Sequence, residues 1–292
     1  MQAVPSLALE RGENVRWQAP VALAATVAFT LVGAGSLAAQ PQPPAPHPAP
    51  PIPPPERMVL VGDSIAVSIG GELVMAAATH GILLHDATRS GCSQIDGTTT
   101  TPERVPFPWS TGCANGNAAF QGDTIAVYQP DIVVWLSAWE SVDRILDDGA
   151  WVRFGTFAGN PRIVAEIDEA VQRLTAGGAR LVVVVPAPVP PGATNADHAA
   201  VARLPLLTTV LRAYARQHAD RVFVVEMAEL LCPAGPPCPT TIDGYAPRPD
   251  GMHFDDPAGA RWIADWLIPK VLDPVTPAAP APGRIAAGLA SA

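Results

Sequence analysis

A serine near one end of the chain and an aspartate–histidine pair near the other end could together perform nucleophilic catalysis. Ser64 ends the tripeptide Gly62–Ser64, and Asp250 and His253 stand three residues apart in the sequence DGMH. A serine nucleophile needs a base within hydrogen-bond reach and a carboxylate that fixes the tautomer of that base. Each motif alone is compatible with an ordinary turn. The two motifs together predict a serine with its histidine base and a carboxylate that orients the histidine.

The stretch between the two motifs alternates apolar strand patterns with helical patterns. The predicted strands cover residues 57–62, 82–87, 131–137, 181–185 and 221–226, and the predicted helices cover 64–79, 115–128, 161–176, 198–218 and 257–268. Asn160 is expected to cap the third of these helices, with Pro161 as its first residue. Repeated βα units predict an α/β fold, a three-layer sandwich with a parallel sheet flanked by helices. Such sheets bind ligands at the carboxyl ends of their strands, so residues at those ends are the functional candidates.

The remaining parts of the chain have a different composition. Residues 21–39 contain no charged side chain, and this run is just long enough to span a membrane. Residues 1–40 are therefore predicted to be a signal peptide or a single membrane anchor, with the choice between them open. Ten of the fifteen residues in 41–55 are proline, which predicts a stiff linker. We expect residues 56–272 to form one domain and residues 273–292 to be a disordered tail.

Composition excludes several classes of function. Asp and Glu number 27 against 18 Lys and Arg, which gives a formal net charge of −9. An acidic chain without a basic run is a poor match to nucleic acid, because phosphate binding depends on clustered Lys and Arg. The four cysteines form no CxxC pair, which disfavours a structural zinc site. No glycine pattern indicates a phosphate site, and we predict neither a metal nor a cofactor.

The two catalytic motifs resemble those of a known family. Ser64 in VLVGDSIA and Asp250 with His253 in RPDGMHFDDPAGARWIADWL are similar to the first and last motifs of the SGNH (GDSL-type) hydrolases, over about residues 57–270. The resemblance implies the SGNH hydrolase fold, with Ser64 as nucleophile, His253 as general base and acid, and Asp250 orienting His253. Gly91 in ATRSGCS fits the second motif of the family. Its backbone N–H is then expected to form an oxyanion hole with that of Ser64.

The third motif of the family, GxND, is altered in this chain. The corresponding residues are Ser137–Glu140, with Trp139 in the place of the asparagine. Loss of one such side-chain donor typically costs ~3 kcal/mol of transition-state stabilisation. Trp139 and Glu140 are candidate substrate contacts, and the alternative for Trp139 is a core aromatic. The tryptophan is similar to that of exported SGNH domains linked to multi-spanning membrane acyltransferases, which O-acetylate glycans of the cell envelope.

The cysteines are consistent with an exported domain. Three pairings of four cysteines are possible, and the simplest joins Cys92 to Cys113 and Cys232 to Cys238, so that each disulfide closes a local loop. A cysteine pair near the last motif is also a feature of the exported domains that this chain resembles. The alternative is four free thiols.

These observations predict an exported serine esterase or O-acyltransferase, secreted or anchored by one N-terminal helix. Its substrates are expected to be acyl esters, with acetyl the first choice, of a cell-envelope carbohydrate. The expected partners are this ester-bearing carbohydrate, a membrane acyltransferase, and the membrane itself if the N-terminal segment is retained. The alternative is a non-catalytic SGNH-fold domain that binds glycans or acts as a scaffold, because the oxyanion hole is altered.

Overall fold

The computed structural model describes residues 57–114, 116–194 and 199–273. The predicted signal peptide or anchor, the proline-rich linker and residues 274–292 of the predicted tail lie outside the described residues. Among the helices of the described ranges, none has both the length and the apolar character that a membrane crossing requires.

The described residues form eight strands and seven helices. The strands are β1 (Arg57–Gly62), β2 (Leu83–Asp86), β3 (Thr98–Thr99), β4 (Ile132–Leu136), β5 (Arg144–Ile145), β6 (Trp151–Val152), β7 (Arg180–Val185) and β8 (Val222–Glu226). The helices are α1 (Ser64–Thr79), α2 (Ser110–Ala114), α3 (Asn117–Tyr128), α4 (Gly159–Leu174), α5 (Ala199–Gln217), α6 (Ala228–Leu231) and α7 (Pro257–Leu272). A short 3₁₀ helix covers Trp139–Ser141.

A parallel sheet of five strands is the centre of the domain. Its order is β2-β1-β4-β7-β8, and every neighbouring pair in it is parallel. All five residues of β4 are buried, as are the last five of β1 and of β7. Continuous apolar runs of this kind are typical of strands that are covered on both faces. The prediction of an α/β fold with a parallel sheet between helices is therefore confirmed.

The order of the strands assigns the helices to the two faces. The chain moves from β1 to β2 in one direction, and then from β2 past β1 to β4, β7 and β8 in the other. Because crossovers between parallel strands are right-handed, α1 covers one face, and α3, α4 and α5 cover the other. Helix α7 packs against α1, and α3 packs against α4. The reversal of direction occurs at β1 and β4, whose carboxyl ends are therefore the expected site of a ligand crevice.

Two local features differ from the sequence-based expectation. Helix α4 begins at Gly159, and its N-cap is Ala158, whose side chain makes no capping bond. Asn160 is therefore not the N-cap, since its side chain accepts a hydrogen bond from the N–H of Gly155 instead. The second feature is a small antiparallel sheet of β3, β5 and β6, each only two residues long. Strands of that length carry no periodic pattern that a sequence could reveal.

Candidate active site

Ser64 is positioned by the end of β1 and the start of α1. Gly62 allows β1 to approach β4 closely, because a Cβ atom on this glycine would lie 2.0 Å from the carbonyl oxygen of Leu136. Asp63 is the N-cap of α1, and its Oδ1 accepts a hydrogen bond of 2.8 Å from the N–H of Ile65. Ser64 is the first residue of the helix, where main-chain N–H groups have no acceptor within the helix. The hydroxyl is thereby held at the carboxyl edge of the sheet.

The loop before α7 brings a histidine and an aspartate to this hydroxyl. Nε2 of His253 lies 2.8 Å from Oγ of Ser64, although the two residues are 189 positions apart in the chain. Nδ1 of His253 lies 2.5 Å from Oδ2 of Asp250. The structure therefore joins Ser64, His253 and Asp250 in one chain of hydrogen bonds. A hydroxyl, an imidazole and a carboxylate in this order form the arrangement that activates a serine for nucleophilic attack.

Asp250 holds its own loop as well as the imidazole. Its Oδ1 accepts hydrogen bonds of 2.8 Å from the main-chain N–H groups of Met252 and His253. Gly251 has a φ of +91°, a left-handed conformation that glycine adopts without steric cost. Partial burial raises the pKa of Asp250, but the hydrogen bonds from the side chain and backbone of His253 and from Met252 outweigh it, so that the pKa is lowered. The carboxylate is therefore ionised when His253 acts as a base.

Two further contacts fix this loop to the rest of the domain. Oγ of Ser68, one turn after Ser64 on α1, accepts a hydrogen bond of 2.9 Å from the N–H of Phe254. The buried guanidinium of Arg248 donates to the carbonyl groups of Ala187 and Pro188, at 3.0 Å each. Burial lowers the pKa of Arg248 to about 10. The histidine loop is thus tied to the helix that carries the serine and to the chain that leaves β7.

Gly91 lies in the loop that follows β2, with a φ of +72°. Within the described part of the chain, no acceptor binds the main-chain N–H of Gly91 or that of Ser64. Both groups are therefore available to a ligand. The loop of Gly91 is tied to the end of β1 by the N–H of Arg89, which donates to the carbonyl of Gly62 at 2.9 Å. Main-chain N–H groups that converge on one point can stabilise the oxyanion of a tetrahedral intermediate.

Asp63 links the serine to the altered third motif. Its Oδ2 accepts hydrogen bonds from Oγ of Ser137 at 3.0 Å, the N–H of Ala138 at 2.7 Å and the N–H of Trp139 at 3.2 Å. The side chain is buried, and this burial, together with the nearby charge of Glu140, raises the pKa of Asp63 to about 6. The ends of β1 and β4 are therefore joined by a single buried carboxyl group.

Glu140 and Trp139 are both buried in this structure. Glu140 is fully buried, and its Oε1 accepts hydrogen bonds from Oγ of Ser93 and the N–H of Gln94. The carboxylate of Glu140 therefore holds the loop that contains Gly91, and a direct contact of Glu140 with substrate stays a prediction. Trp139 is 8% exposed, its ring packs among aromatic rings, and its main-chain N–H donates to Asp63.

The sequence analysis did not identify Arg144 as part of this arrangement. Its fully buried guanidinium donates to Oγ of Ser93 at 3.2 Å and to the carbonyl oxygens of Asp96 and Trp139 at 3.1 and 2.9 Å. Burial lowers the pKa of Arg144 to about 10. An arginine in a polar segment gives no sign of such burial in a sequence. Its contacts nevertheless join the third motif to the loop after Gly91.

Within the described residues, two groups of side chains have possible ligand atoms close enough together to bind a metal ion. One consists of Asp250, His253 and Asp255, and it shares the imidazole that faces Ser64. The other consists of Asp96, Glu166 and Glu169, and Asp96 forms an ion pair of 3.2 Å with Arg173. Because each group includes a side chain that already has a partner outside the group, neither group indicates a metal site by itself.

Both disulfides close local loops. Cys92 is bonded to Cys113, and Cys232 is bonded to Cys238. The first disulfide directly follows Gly91, and the segment that it closes includes β3 and the start of α2.

Comparison with known proteins gives a family and a group of solved structures. No curated protein matches the chain. The periplasmic domain of a lipopolysaccharide acetyltransferase from Salmonella ser. Paratyphi A is 11% identical, over 74% of this chain and 83% of that chain, with a TM-score of 0.47. The C-terminal catalytic domain of a peptidoglycan O-acetyltransferase from Streptococcus pneumoniae is 14% identical, over 76% and 94%, with a TM-score of 0.44. A GDSL-like lipase from Bacteroides thetaiotaomicron is 15% identical, over 75% and 89%, with a TM-score of 0.46.

The family model is described as "SGNH domain (fused to AT3 domains)", and it matches residues 36–267. This range covers more than half of the chain and includes both catalytic motifs. The chain therefore belongs to the SGNH domain family, and it is an enzyme of the class that contains SGNH-type serine hydrolases and O-acyltransferases.

Proposed function

We propose that the chain is an extracytoplasmic serine esterase or O-acyltransferase that acts on acetyl esters of cell-envelope carbohydrate. The observation that carries this proposal is the hydrogen-bonded chain from Ser64 through His253 to Asp250. Its order and distances are those that a serine nucleophile needs, and a structural serine in a turn would need neither partner.

In the first half of the reaction, Oγ of Ser64 attacks the carbonyl carbon of the ester while Nε2 of His253 takes the hydroxyl proton. Asp250 stabilises the resulting imidazolium through Nδ1. The carbonyl oxygen becomes an oxyanion, which the main-chain N–H groups of Ser64 and Gly91 stabilise. The bond to the leaving alkoxide then breaks, and His253 donates its proton to the departing oxygen. An acyl-serine remains.

In the second half, a hydroxyl group attacks the acyl-serine. His253 removes its proton, a new carbon–oxygen bond forms, and the bond to Oγ of Ser64 breaks as the proton returns to the serine. Water as the attacking group gives ester hydrolysis, whereas a sugar hydroxyl gives acyl transfer. The same residues serve both outcomes, so the acceptor that occupies the site determines which reaction occurs.

The third motif affects the expected rate. Trp139 lacks the side-chain amide of an asparagine, and its one side-chain donor, the indole N–H, belongs to a ring that packs against the rings of Phe107 and Trp109. The backbone N–H of Trp139 binds Asp63, so it is occupied in holding the ends of β1 and β4 together. Two main-chain donors are then left for the oxyanion. A slower reaction with simple esters is expected, since one such donor contributes ~3 kcal/mol.

Three observations support the location and the partner. Two disulfides favour an oxidising compartment outside the cytoplasm. The charge-free run at residues 21–39 is suited to an export signal or an anchor. The family is described by its fusion to AT3 domains, and this supports a membrane acyltransferase as the protein that supplies the acyl group.

The test is hydrolysis of 4-nitrophenyl acetate by the full-length protein and its variants. Ser64→Ala and His253→Ala are each expected to lower the rate by several orders of magnitude, to the small residual catalysis that the oxyanion hole and substrate binding provide, because each removes an essential part of the triad. His80→Ala is a matched control, since His80 is exposed and caps the opposite end of α1. Thermal melting by circular dichroism checks that each variant is folded.

Equal rates for the wild type and folded Ser64→Ala protein would contradict the proposal and favour a glycan-binding domain without catalysis. If the rates differ as expected, the acceptor is identified next. The wild type is incubated with an acetyl donor and soluble glycans, and the masses of the products distinguish acetyl transfer from hydrolysis.

A further inference from the structure

An aromatic cluster lies beside the proposed oxyanion hole. It consists of Phe107, Trp109 and Trp139, and it is called the aromatic cluster below. The rings of Phe107 and Trp109 are stacked with centroids 5.3 Å apart. Both rings meet Trp139 edge to face, at 5.3 Å from Phe107 and 5.8 Å from Trp109. Arrangements of this kind are favourable pairings of aromatic quadrupoles. The three rings therefore support one another as a single surface.

Trp109 is the most exposed member of the aromatic cluster. The residue is 45% exposed, in contrast with the 8% exposure of Trp139. It also touches the backbone of the oxyanion loop, because a Cβ atom on Gly91 would lie only 2.5 Å from its Cδ1. An exposed indole thus packs directly against Gly91, the glycine that we propose as an oxyanion donor.

The position of Trp109 is fixed by its own segment of chain. Sγ of Cys113, which is in the disulfide with Cys92, lies 3.5 Å from the carbonyl oxygen of Trp109. The N–H of Phe107 donates to Thr99, and the N–H of Ser110 donates to Phe107. These bonds hold the backbone around Trp109, and contacts with the rings of Phe107 and Trp139 hold the indole itself, so that binding against it costs little ordering of the protein.

We infer that the exposed part of the Trp109 indole binds a pyranose ring of the carbohydrate substrate, on the sugar side of the ester bond. This inference rests on the proposed function, and it adds a binding subsite to it. An acetyl group offers only a few atoms for contact, so the sugar must supply most of the binding energy. Because Gly91 packs against the indole of Trp109, an ester carbonyl held at the N–H of Gly91 would bring the attached sugar close to that ring.

The chemistry of the two surfaces is complementary. One face of a pyranose presents C–H groups that carry small positive charges, and the face of an indole is the negative part of its quadrupole. The hydroxyl groups at the edge of the sugar remain in water when the ring lies on a half-exposed indole. A long acyl chain would instead need an enclosed apolar pocket.

The binding experiment uses full-length Ser64→Ala protein, so that no turnover occurs. Calorimetry measures its affinity for chitotetraose, cellotetraose and mannotetraose. Adding Trp109→Ala is expected to weaken the tightest of these interactions about ten-fold, whereas Trp109→Phe keeps a stacking ring and retains part of the affinity. Phe157→Ala is the control, since Phe157 is an aromatic side chain with 99% exposure in the turn before α4.

Two results would overturn the inference. One is the absence of measurable binding to all three oligosaccharides, and the other is an affinity that Trp109→Ala and Phe157→Ala change equally. A second measurement compares hydrolysis of 4-nitrophenyl acetate and 4-nitrophenyl octanoate by Trp109→Ala protein with active Ser64. A selective loss with the octanoate would assign the indole to an acyl chain and would also overturn the inference.

These outcomes are separate from failure of the proposed function. If Ser64→Ala hydrolyses esters as fast as the wild type, the catalytic proposal fails, whatever the binding data show. If Ser64 is required but Trp109→Ala does not affect oligosaccharide binding, the proposed function stands and the subsite is wrong.

Discussion

Asp63 should make the stability of the domain depend on pH in an unusual direction. Burial, followed by the charge of Glu140, raises its pKa from 3.8 to about 6. A raised pKa means that the folded protein binds this proton more tightly than the unfolded chain does. The group therefore stabilises the fold below about pH 4, and this stability is lost as the pH rises through about 6. At 1.36 kcal/mol per pH unit, the loss is about 3 kcal/mol.

The variant Asp63→Asn isolates this contribution, because asparagine does not ionise. At acidic pH, Asp63 of the wild-type protein is protonated and neutral, like the asparagine of the variant. At neutral pH, Asp63 is a buried carboxylate, whereas the asparagine is still neutral. The free energy of unfolding of the variant, minus that of the wild type, should therefore rise by about 2–3 kcal/mol between about pH 4 and about pH 7. Urea unfolding followed by tryptophan fluorescence, without reductant, measures both proteins across this range. The other titrating groups contribute almost equally to the unfolding free energy of both proteins, so their contributions largely cancel when one value is subtracted from the other.

Glu140→Gln provides the internal control for the cause of this effect. In that background the change between the same pH values should be smaller but still present, because burial is the larger cause and the charge of Glu140 the second. A difference between Asp63→Asn and wild type that stays constant with pH would refute the reasoning. A difference of the opposite sign would refute it as well.

Three further predictions concern the parts that hold the site. Replacing Cys92 and Cys113 by alanine opens a loop with a sequence separation of 21, and this should lower the free energy of unfolding by about 3 kcal/mol. The esterase rate should fall as well. Opening the second disulfide, with a separation of 6, should cost about 2 kcal/mol with a smaller effect on rate, as urea unfolding and initial rates will show. Gly91→Ala should lower kcat, because the new methyl group would clash with the indole of Trp109. Gly81 has a similar φ but no atom within 4 Å of an added methyl group, so Gly81→Ala should cost only ~1 kcal/mol of stability and leave kcat unchanged. Equal kcat values for the two variants would contradict this prediction. Ser68→Ala should lower kcat more than it changes KM, with partial rescue by threonine, since it removes the acceptor that ties the histidine loop to α1.

The sequence was sufficient to predict the parallel sheet and the set of residues that the structure brings together. Buried strands such as β4 are recognisable because every residue is apolar, and helix α7 is recognisable from the capping aspartate before Pro257. The hydrogen-bonded contact of Ser64 with His253 follows from two motifs at the ends of one α/β domain. The sequence therefore predicted those strands and helices whose structure is determined mainly by their own residues.

Other features depend on contacts between distant segments. The burial of Glu140 follows from the position of Ser93 and Gln94, which belong to a different loop. Asn160 bonds the preceding turn in place of capping its helix. Trp109 comes next to Gly91 only when the disulfide loop folds back, and nothing in the local sequence distinguishes it from other exposed aromatics. Such positions become visible only when the three-dimensional structure is known.

Identification of the acylated residue tests the central claim most directly. The full-length protein is mixed with 4-nitrophenyl acetate, quenched rapidly in acid and digested, and the peptides are mapped by mass spectrometry. The account predicts one acetyl group on Ser64 during turnover, and none on Ser64 when His253→Ala protein is treated in the same way. Acetylation of a different residue during turnover, with Ser64 unmodified, would contradict it.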